Sequence, residues 1–211
     1  MKNIEVSREK REDLIIEAAR RRFGLYGVEK TSMREVAADL RMSKGSLYYY
    51  FADKENLYIA VIQREQSEFI SIFEKEIKSI SDPAERLLKY ASNHLSHFKK
   101  LLNLSRIRSE SFHELKPVIS EAISIIRENE KKIVIGILQD GRQRGKFLFK
   151  DADETATIFL DLLMGLKSTF LRNKQLLIIS DEEYKVLSEK VTAFSKVFIK
   201  GLMYRECPGD R

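Results

Sequence analysis

The sequence predicts an all-α protein of about nine helices. Apolar residues recur at spacings of three and four along nearly the whole chain, the period of a helix that buries one face. Only three prolines and nine glycines interrupt the 211 residues, and most stand where one helix should stop or the next begin. No stretch alternates convincingly between apolar and polar. The best strand candidate, Lys146-Phe147-Leu148-Phe149, fits a helix cap better.

The elements follow from their punctuation. A first helix is expected from about Ser7, as N-cap, to Tyr26, with Leu14, Ile15, Ala18, Ala19 and Phe23 on one face and Gly27 at the left-handed position after it. Ser32-Met33-Arg34-Glu35 reads as a capping box that opens a second helix, with Val36, Ala37 and Leu40 facing inward. A tight turn at Arg41-Met42 leads to Ser43, which caps a short third helix from Lys44 to Tyr50. Asp53 caps a fourth, from Lys54 to about Ile80. Asp82-Pro83-Ala84-Glu85 places a proline at N1 and an acid at N3 of the next. Lys116-Pro117 is expected to start a long helix ending near Arg144, closed by Gly145. Further helices are expected from Asp151 to about Asn173 and from the capping box Ser180–Glu183 to about Tyr204.

Composition narrows the class. A hydrophobic share of 43% and a charged share of 33% are ordinary for a globular chain. The single cysteine, Cys207, excludes an intrachain disulfide, and the polar N-terminus has no apolar signal core. Both fit a cytoplasmic protein. The richest apolar run, Ile158 to Leu171, is broken by Asp161 and Lys167 and is too short for a bilayer. The net charge of +6 favours polyanionic partners. It decides little alone: residues 1–56 hold 12 basic and 10 acidic side chains, a net of +2, so the excess is spread along the chain.

Local pattern carries the functional reading. Two short helices joined by a tight turn form a helix-turn-helix, whose second helix reads base edges in the major groove. Ser43 and Lys44 stand at the N-terminus of that helix, where free amides and the dipole favour a phosphate. Gly45 allows close backbone approach, and the Ser46 hydroxyl can reach a base or a phosphate. Tyr48, Tyr49 and Tyr50 exceed what a small core needs, while Leu47 and Phe51, four apart, should point inward.

Phe23, Gly27, Thr31, Ser32, Val36-Ala37, Ser43-Lys44-Gly45-Ser46-Leu47-Tyr48, Tyr50-Phe51, Lys54-Glu55 and Leu57 together resemble the DNA-binding signature of the TetR family, over roughly residues 10–60. The resemblance implies that Thr31 and Ser32 touch backbone phosphate, that Lys44, Gly45 and Tyr49 approach bases, and that Tyr48 and Lys54 clamp phosphates. Phosphate contacts set register and base contacts set sequence choice. Arg41 stands where the family usually has glycine. Either the turn differs, or an arginine attracted to phosphate offsets the cost of a left-handed residue, about 1 kcal/mol. The expected organisation is a DNA-binding domain at 1–53 and an effector-binding and dimerisation domain at 54–211.

The last helix repeats Tyr184, Leu187, Val191, Phe194 and Phe198 at spacings of three and four, an a/d seam. The one before it is apolar on most sides: Ile158, Phe159, Leu162, Leu163, Leu166, Phe170 and Leu171. Such a helix must be covered nearly all round. A homodimer with a four-helix interface solves this, and the family resemblance implies the same. The interface is expected to use Phe159, Leu163, Leu166, Phe170, Tyr184, Leu187, Val191, Phe194 and Phe198, and two-fold symmetry implies a palindromic operator in double-stranded DNA. The middle helices are expected to enclose a small-molecule effector among Phe69, Phe73, Tyr90, His94, Phe98, Ile107, Phe112, His113 and Ile126, mostly apolar walls with a few polar groups.

An enzyme is the rival class. His94 and His97 share a helix face, but no His-Glu-x-x-His pattern, cysteine pair, phosphate loop or nucleophile elbow accompanies them. No metal site, cofactor or membrane partner is expected. A dimeric DNA-binding protein controlled by a protein partner remains open beside the effector-responsive reading, as does activation beside repression.

Overall fold

The computed structural model describes residues 2–203, with side chains for all of these except 2–7, 113–119 and 121–122. Eight helices follow one another: α1 (Lys2–Tyr26), α2 (Met33–Asp39), α3 (Lys44–Tyr50), α4 (Lys54–Ile77), α5 (Pro83–Ser105), α6 (Ser109–Gln143), α7 (Ala152–Leu171) and α8 (Asp181–Met203). Among the described residues the only β feature is an isolated bridge between Arg108 and Leu176. The chain is all-α, as its periodicity predicts.

Most helix starts fall on the expected caps. The Ser32 hydroxyl accepts from Glu35 N at 3.3 Å, while the Glu35 carboxylate accepts from Ser32 N at 2.8 Å. The same reciprocal pair joins Ser180 and Glu183, and Asp53 accepts from Asn56 N at 2.7 Å. Two starts differ from expectation. The first helix already runs from Lys2, because no glycine or proline precedes Ser7 to stop it. The sixth starts at Ser109, eight residues before the proline expected to open it. Ser109 N donates to Gln175 O, and Phe112 N then closes the first turn on Arg108 O.

The chain divides into two compact units. The first comprises, among the described residues, 2–68, 99–123 and 174–179. Its core is built by Ile15, Ala18, Ala19 and Phe23 of α1, Val36 and Ala37 of α2, Leu47 of α3, and Leu57, Tyr58 and Val61 of α4, all under 5% exposed. Phe23 meets Tyr58 edge-on at 5.8 Å, and the Tyr58 hydroxyl pairs with Ser105 Oγ at 2.7 Å. The α1–α2 loop is pinned to the corner between α5 and α6. Gly27 turns there with φ 86°, Val28 N donates to Ser105 O at 3.1 Å, and Arg108 N donates to the Glu29 carboxylate at 2.9 Å. That amide, followed by the Ser111 hydroxyl, lowers the Glu29 pKa and keeps it ionised. Glu65 of α4, its side chain wholly buried, is held by Arg20 of α1 at 2.5 Å and Lys100 of α5 at 2.6 Å.

The second unit comprises, among the described residues, 69–98, 124–173 and 180–203. Aromatic rings fill it: Phe73 edge-on to Tyr90 at 5.3 Å, and Phe159 of α7 against Phe194 and Phe198 of α8 at 5.9 and 4.9 Å. The end of α6 is tightly folded. Gly145 takes φ 66°, the amides of Lys146 and Phe147 both donate to Gly141 O, and the buried Phe147 ring lies over Gly141. The stretch 146–149 thus caps a helix instead of forming a strand. No helix among the described residues is long and apolar enough to cross a membrane.

Candidate nucleic-acid interface and effector-side cluster

The head presents one short helix with its back buried and its front open. Leu47 is fully buried and anchors α3. Ser43 caps it by accepting from Ser46 N at 3.0 Å, with the two hydroxyls 2.8 Å apart. Ser32, Arg41, Ser43, Lys44, Gly45, Ser46, Tyr48 and Tyr49 are all exposed, and Tyr50 is half-buried. Tyr49 is the most open of the tyrosines at 70% exposure, against 40% for Tyr48. Tyr50 meets the Tyr49 ring edge-on at 5.2 Å, and the guanidinium of Arg8 lies 5.6 Å over it. The Lys44 ammonium lies 5.3 Å over Tyr48.

Two of the expected contacts face the protein. Thr31 is 2% exposed and its hydroxyl donates to Gly27 O at 2.9 Å, closing the loop before α2. The Lys54 ammonium donates to Val28 O at 3.1 Å and Glu29 O at 3.5 Å. Both act as loop staples in the free chain. Arg8, which the sequence reading passed over, belongs with the exposed set because it accompanies Tyr49.

The head's acids are neutralised locally. Arg22 forks onto Asp39 at 2.6 and 2.9 Å and reaches Glu35 at 3.5 Å. The Asp39 pKa is lowered chiefly by that hydrogen bond, and the Glu35 pKa by the Ser32 hydroxyl and then its amide. Arg22 thus takes up Asp39 and Glu35, while Arg8 is itself paired with Glu12 at 3.0 Å.

Arg41 has φ 52°, the left-handed conformation anticipated where glycine is usual. Arg41→Gly is expected to raise stability by about 1 kcal/mol, since glycine enters that region without the steric cost. It should also weaken binding to all DNA sequences alike, by removal of a charge. Thermal melts beside titrations at two salt concentrations check both signs, and a fall in melting temperature would contradict the strain.

A model of the bacterial regulatory proteins of the tetR family matches residues 15–61, the span of this head. The crystal structure of a transcriptional regulator from Cytophaga hutchinsonii ATCC 33406 superposes with a TM-score of 0.82 at 38% identity, over 91% of this chain and 98% of that one. The chain belongs to the TetR family. Two TetR-type relatives extend the likeness beyond the head. The fatty acid metabolism regulator protein of Bacillus subtilis (strain 168) is 25% identical over 158 residues, 69% of this chain and 81% of the relative. The HTH-type transcriptional regulator QacR of Staphylococcus aureus (strain Mu50 / ATCC 700699) is 24% identical over 194 residues, 90% of this chain and 97% of the relative. The protein is a transcriptional regulator of this family and not an enzyme.

The expected effector residues divide between the units. Phe69, Phe73, Tyr90, His94 and Phe98 belong to the second, as does Ile126 on α6. Ile107 and Phe112 belong to the first, where Ile107 is 1% exposed and its carbonyl accepts from Leu177 N at 2.9 Å. The His113 side chain lies outside the described residues. Around His94 the second unit holds a buried polar cluster. Tyr90 stacks on the imidazole at 5.6 Å, Glu130 Oε1 lies 3.3 Å from His94 Nε2, and Lys167 Nζ lies 3.3 Å from the same nitrogen. Lys167 is 3% exposed, and its ammonium sits 4.7 Å from the Phe98 ring. Burial holds its pKa down to about 8, against the opposing charge of Glu130. Burial, and then Lys167, also lowers the His94 pKa, which keeps the ring neutral. Lys167 escaped the sequence reading because a lone lysine in an apolar helix reads there as a surface break.

The expected dimer residues also divide. Phe159, Leu163, Leu187 and Val191 are at most 2% exposed within the single chain, so they pack α7 and α8 into their own unit. Those four therefore face the chain's own core. Leu166, Phe170, Tyr184, Phe194 and Phe198 are half-buried. The open apolar positions are their neighbours: Ile158 and Leu162 on α7 at 46% each, and Val186 and Val197 on α8 at 47% and 72%.

Proposed function

We propose that this TetR-family regulator is a cytoplasmic homodimer that binds a palindromic operator and is released from it by a small molecule, acting as a repressor. The carrying observation is the capped, exposed face of α3, where Lys44, Gly45, Ser46, Tyr48 and Tyr49 stand outward above the buried Leu47. Ser43, Lys44 and Ser46 at the helix start suit phosphate, and Gly45 and Tyr49 suit base edges. The second monomer docks on Ile158, Leu162, Val186 and Val197, which flank the expected seam. Apolar positions left open on two neighbouring helices favour burial against a copy.

In this reading the effector binds in the second unit and alters the set of α4. That helix begins at Lys54, four residues after α3 ends, and carries Leu57, Tyr58 and Val61 of the head's core. Paired recognition helices must span half-sites roughly 34–36 Å apart, so a small change in their separation costs affinity. The coupling is reciprocal, so operator DNA must weaken effector binding by the same factor.

Selection of bound fragments from the source genome, with and without small molecules from a cell extract, tests the whole reading. A palindromic consensus lost on adding extract supports it. A consensus indifferent to small molecules but released by a protein fraction would favour control by a partner. Tyr49→Ala is expected to change the ranking of operator variants, with about 1–2 kcal/mol lost at one base pair. An equal loss on every variant would remove Tyr49 from base reading. Val197→Glu is expected to weaken self-association about tenfold, or 1.4 kcal/mol, by sedimentation equilibrium. An unchanged dimer constant would move the interface elsewhere.

A further inference from the structure

The cluster around Lys167 is short of acceptors. Lys167 has three N–H donors and, among the described residues, one hydrogen-bond partner, His94 Nε2 at 3.3 Å. The Tyr90 hydroxyl is buried without a hydrogen-bond partner. His94 Nε2 is claimed twice: neutral, it cannot both accept from Lys167 and donate to Glu130 Oε1, which also lies 3.3 Å away. Buried polar groups left in this condition cost free energy, so a group that supplies the missing acceptors would be stabilised there.

We propose that Lys167 and Tyr90 form the head-group site for a carboxylate carried on an apolar body. The proposal rests on the effector reading above and names its ligand class. A carboxylate offers two oxygens and a negative charge, so one group can accept from both Lys167 Nζ and the Tyr90 hydroxyl. With Lys167 satisfied elsewhere, His94 Nε2 is released to donate to Glu130, and the double claim disappears. The charge of Glu130 reaches both Tyr90 and Lys167, but its carboxylate lies against His94 Nε2 at 3.3 Å, and a cationic ligand would supply neither donor with an acceptor. The surroundings select the rest of the molecule: Phe98 beside Lys167, and Phe73 and Phe159 beside Tyr90 at 5.3 and 6.5 Å, favour an aliphatic or aryl body.

The test is calorimetric titration of the full-length protein with decanoate and 4-phenylbutyrate, each beside its methyl ester, and with decyltrimethylammonium. At least one acid is expected to bind ten times more tightly than its ester. Lys167→Met, which removes a buried charge and keeps an unbranched chain one atom shorter, should abolish that preference and leave the ester affinity in place. Tyr90→Phe should reduce it several-fold. Equal binding of acid and ester, preference for the ammonium compound, an unaffected Lys167→Met protein, or no binding by either acid would overturn the proposal. Operator release separates this failure from that of the effector reading. If cell extract releases the operator equally from wild type and Lys167→Met, the effector stands and the carboxylate site falls. If extract releases neither, the effector reading falls as well.

Discussion

Gly141→Ala is expected to destabilise the protein by about 2–3 kcal/mol, although alanine is the better helix former. Gly141 lies in the last turns of α6, where exchange to alanine would ordinarily gain up to about 1 kcal/mol. Here a Cβ would overlap the Phe147 ring, whose Cγ alone would stand only 2.9 Å away. The ring is 1% exposed, so it cannot swing into solvent. Its backbone is tied too, since Phe147 N donates to Gly141 O at 3.2 Å. Overpacking of this kind costs about 1–3 kcal/mol, and expelling the ring would cost about 3–5. Denaturant titration of a double-mutant cycle gives the sharper check. In a Phe147→Ala background, Gly141→Ala should change sign and become neutral or mildly stabilising. The same loss in both backgrounds would show that the ring is not the cause.

Lys167→Met should stabilise the protein at pH 7 by about 3 kcal/mol. The Lys167 pKa falls from an ordinary 10.5 to about 8 in the fold. At 1.36 kcal/mol per pKa unit, this is a cost of about 3 kcal/mol to the folded state at any pH low enough for the lysine to be charged in both the folded and the unfolded chain, that is, below about pH 8. The sign follows from proton counting. Between the folded and unfolded pKa the unfolded chain binds more protons, so wild-type stability rises with pH in that window. The advantage of methionine should therefore be full below about pH 8 and fade as pH climbs towards 10.5. Urea midpoints for both proteins from pH 7 to 10.5 measure it directly. A constant gap would mean that Lys167 does not titrate differently in the folded state, and a gap of opposite sign would mean that Glu130 more than compensates its burial.

Much of the fold could be read locally because its signals are local. The boxes at Ser32–Glu35 and Ser180–Glu183 are completed within four residues, so sequence spacing alone specifies them. Arg41 was marked by its place in the turn, and its φ of 52° follows from the backbone path there. What escaped depends on where long side chains travel. Lys54 could reach a phosphate or a carbonyl, and that it meets the Val28 carbonyl in the free chain follows from the fold and not from its neighbours in sequence. Thr31 looks like a cap residue until Gly27 O is found 2.9 Å from its hydroxyl. Phe159 and Ile158 are neighbours of equal hydrophobicity, yet one is wholly buried and the other 46% exposed, because helix rotation is set by packing. Lys167 is the extreme case, since nothing near it in sequence announces a neutral histidine 73 positions away.

The pinning of the Gly27–Glu29 loop to Ser105 and Arg108 has a practical consequence for protein engineering. The piece of polypeptide that holds the DNA-reading helices in shape is not contiguous: it includes residues 99–123 and 174–179 beside the first 68. A chimaera cut cleanly after α3 or α4 would strand the Val28 amide and the Glu29 carboxylate that this corner satisfies. Transplanting the operator specificity onto another sensor thus requires carrying the α5–α6 corner along, or choosing a recipient that already offers an equivalent carbonyl and amide at that joint.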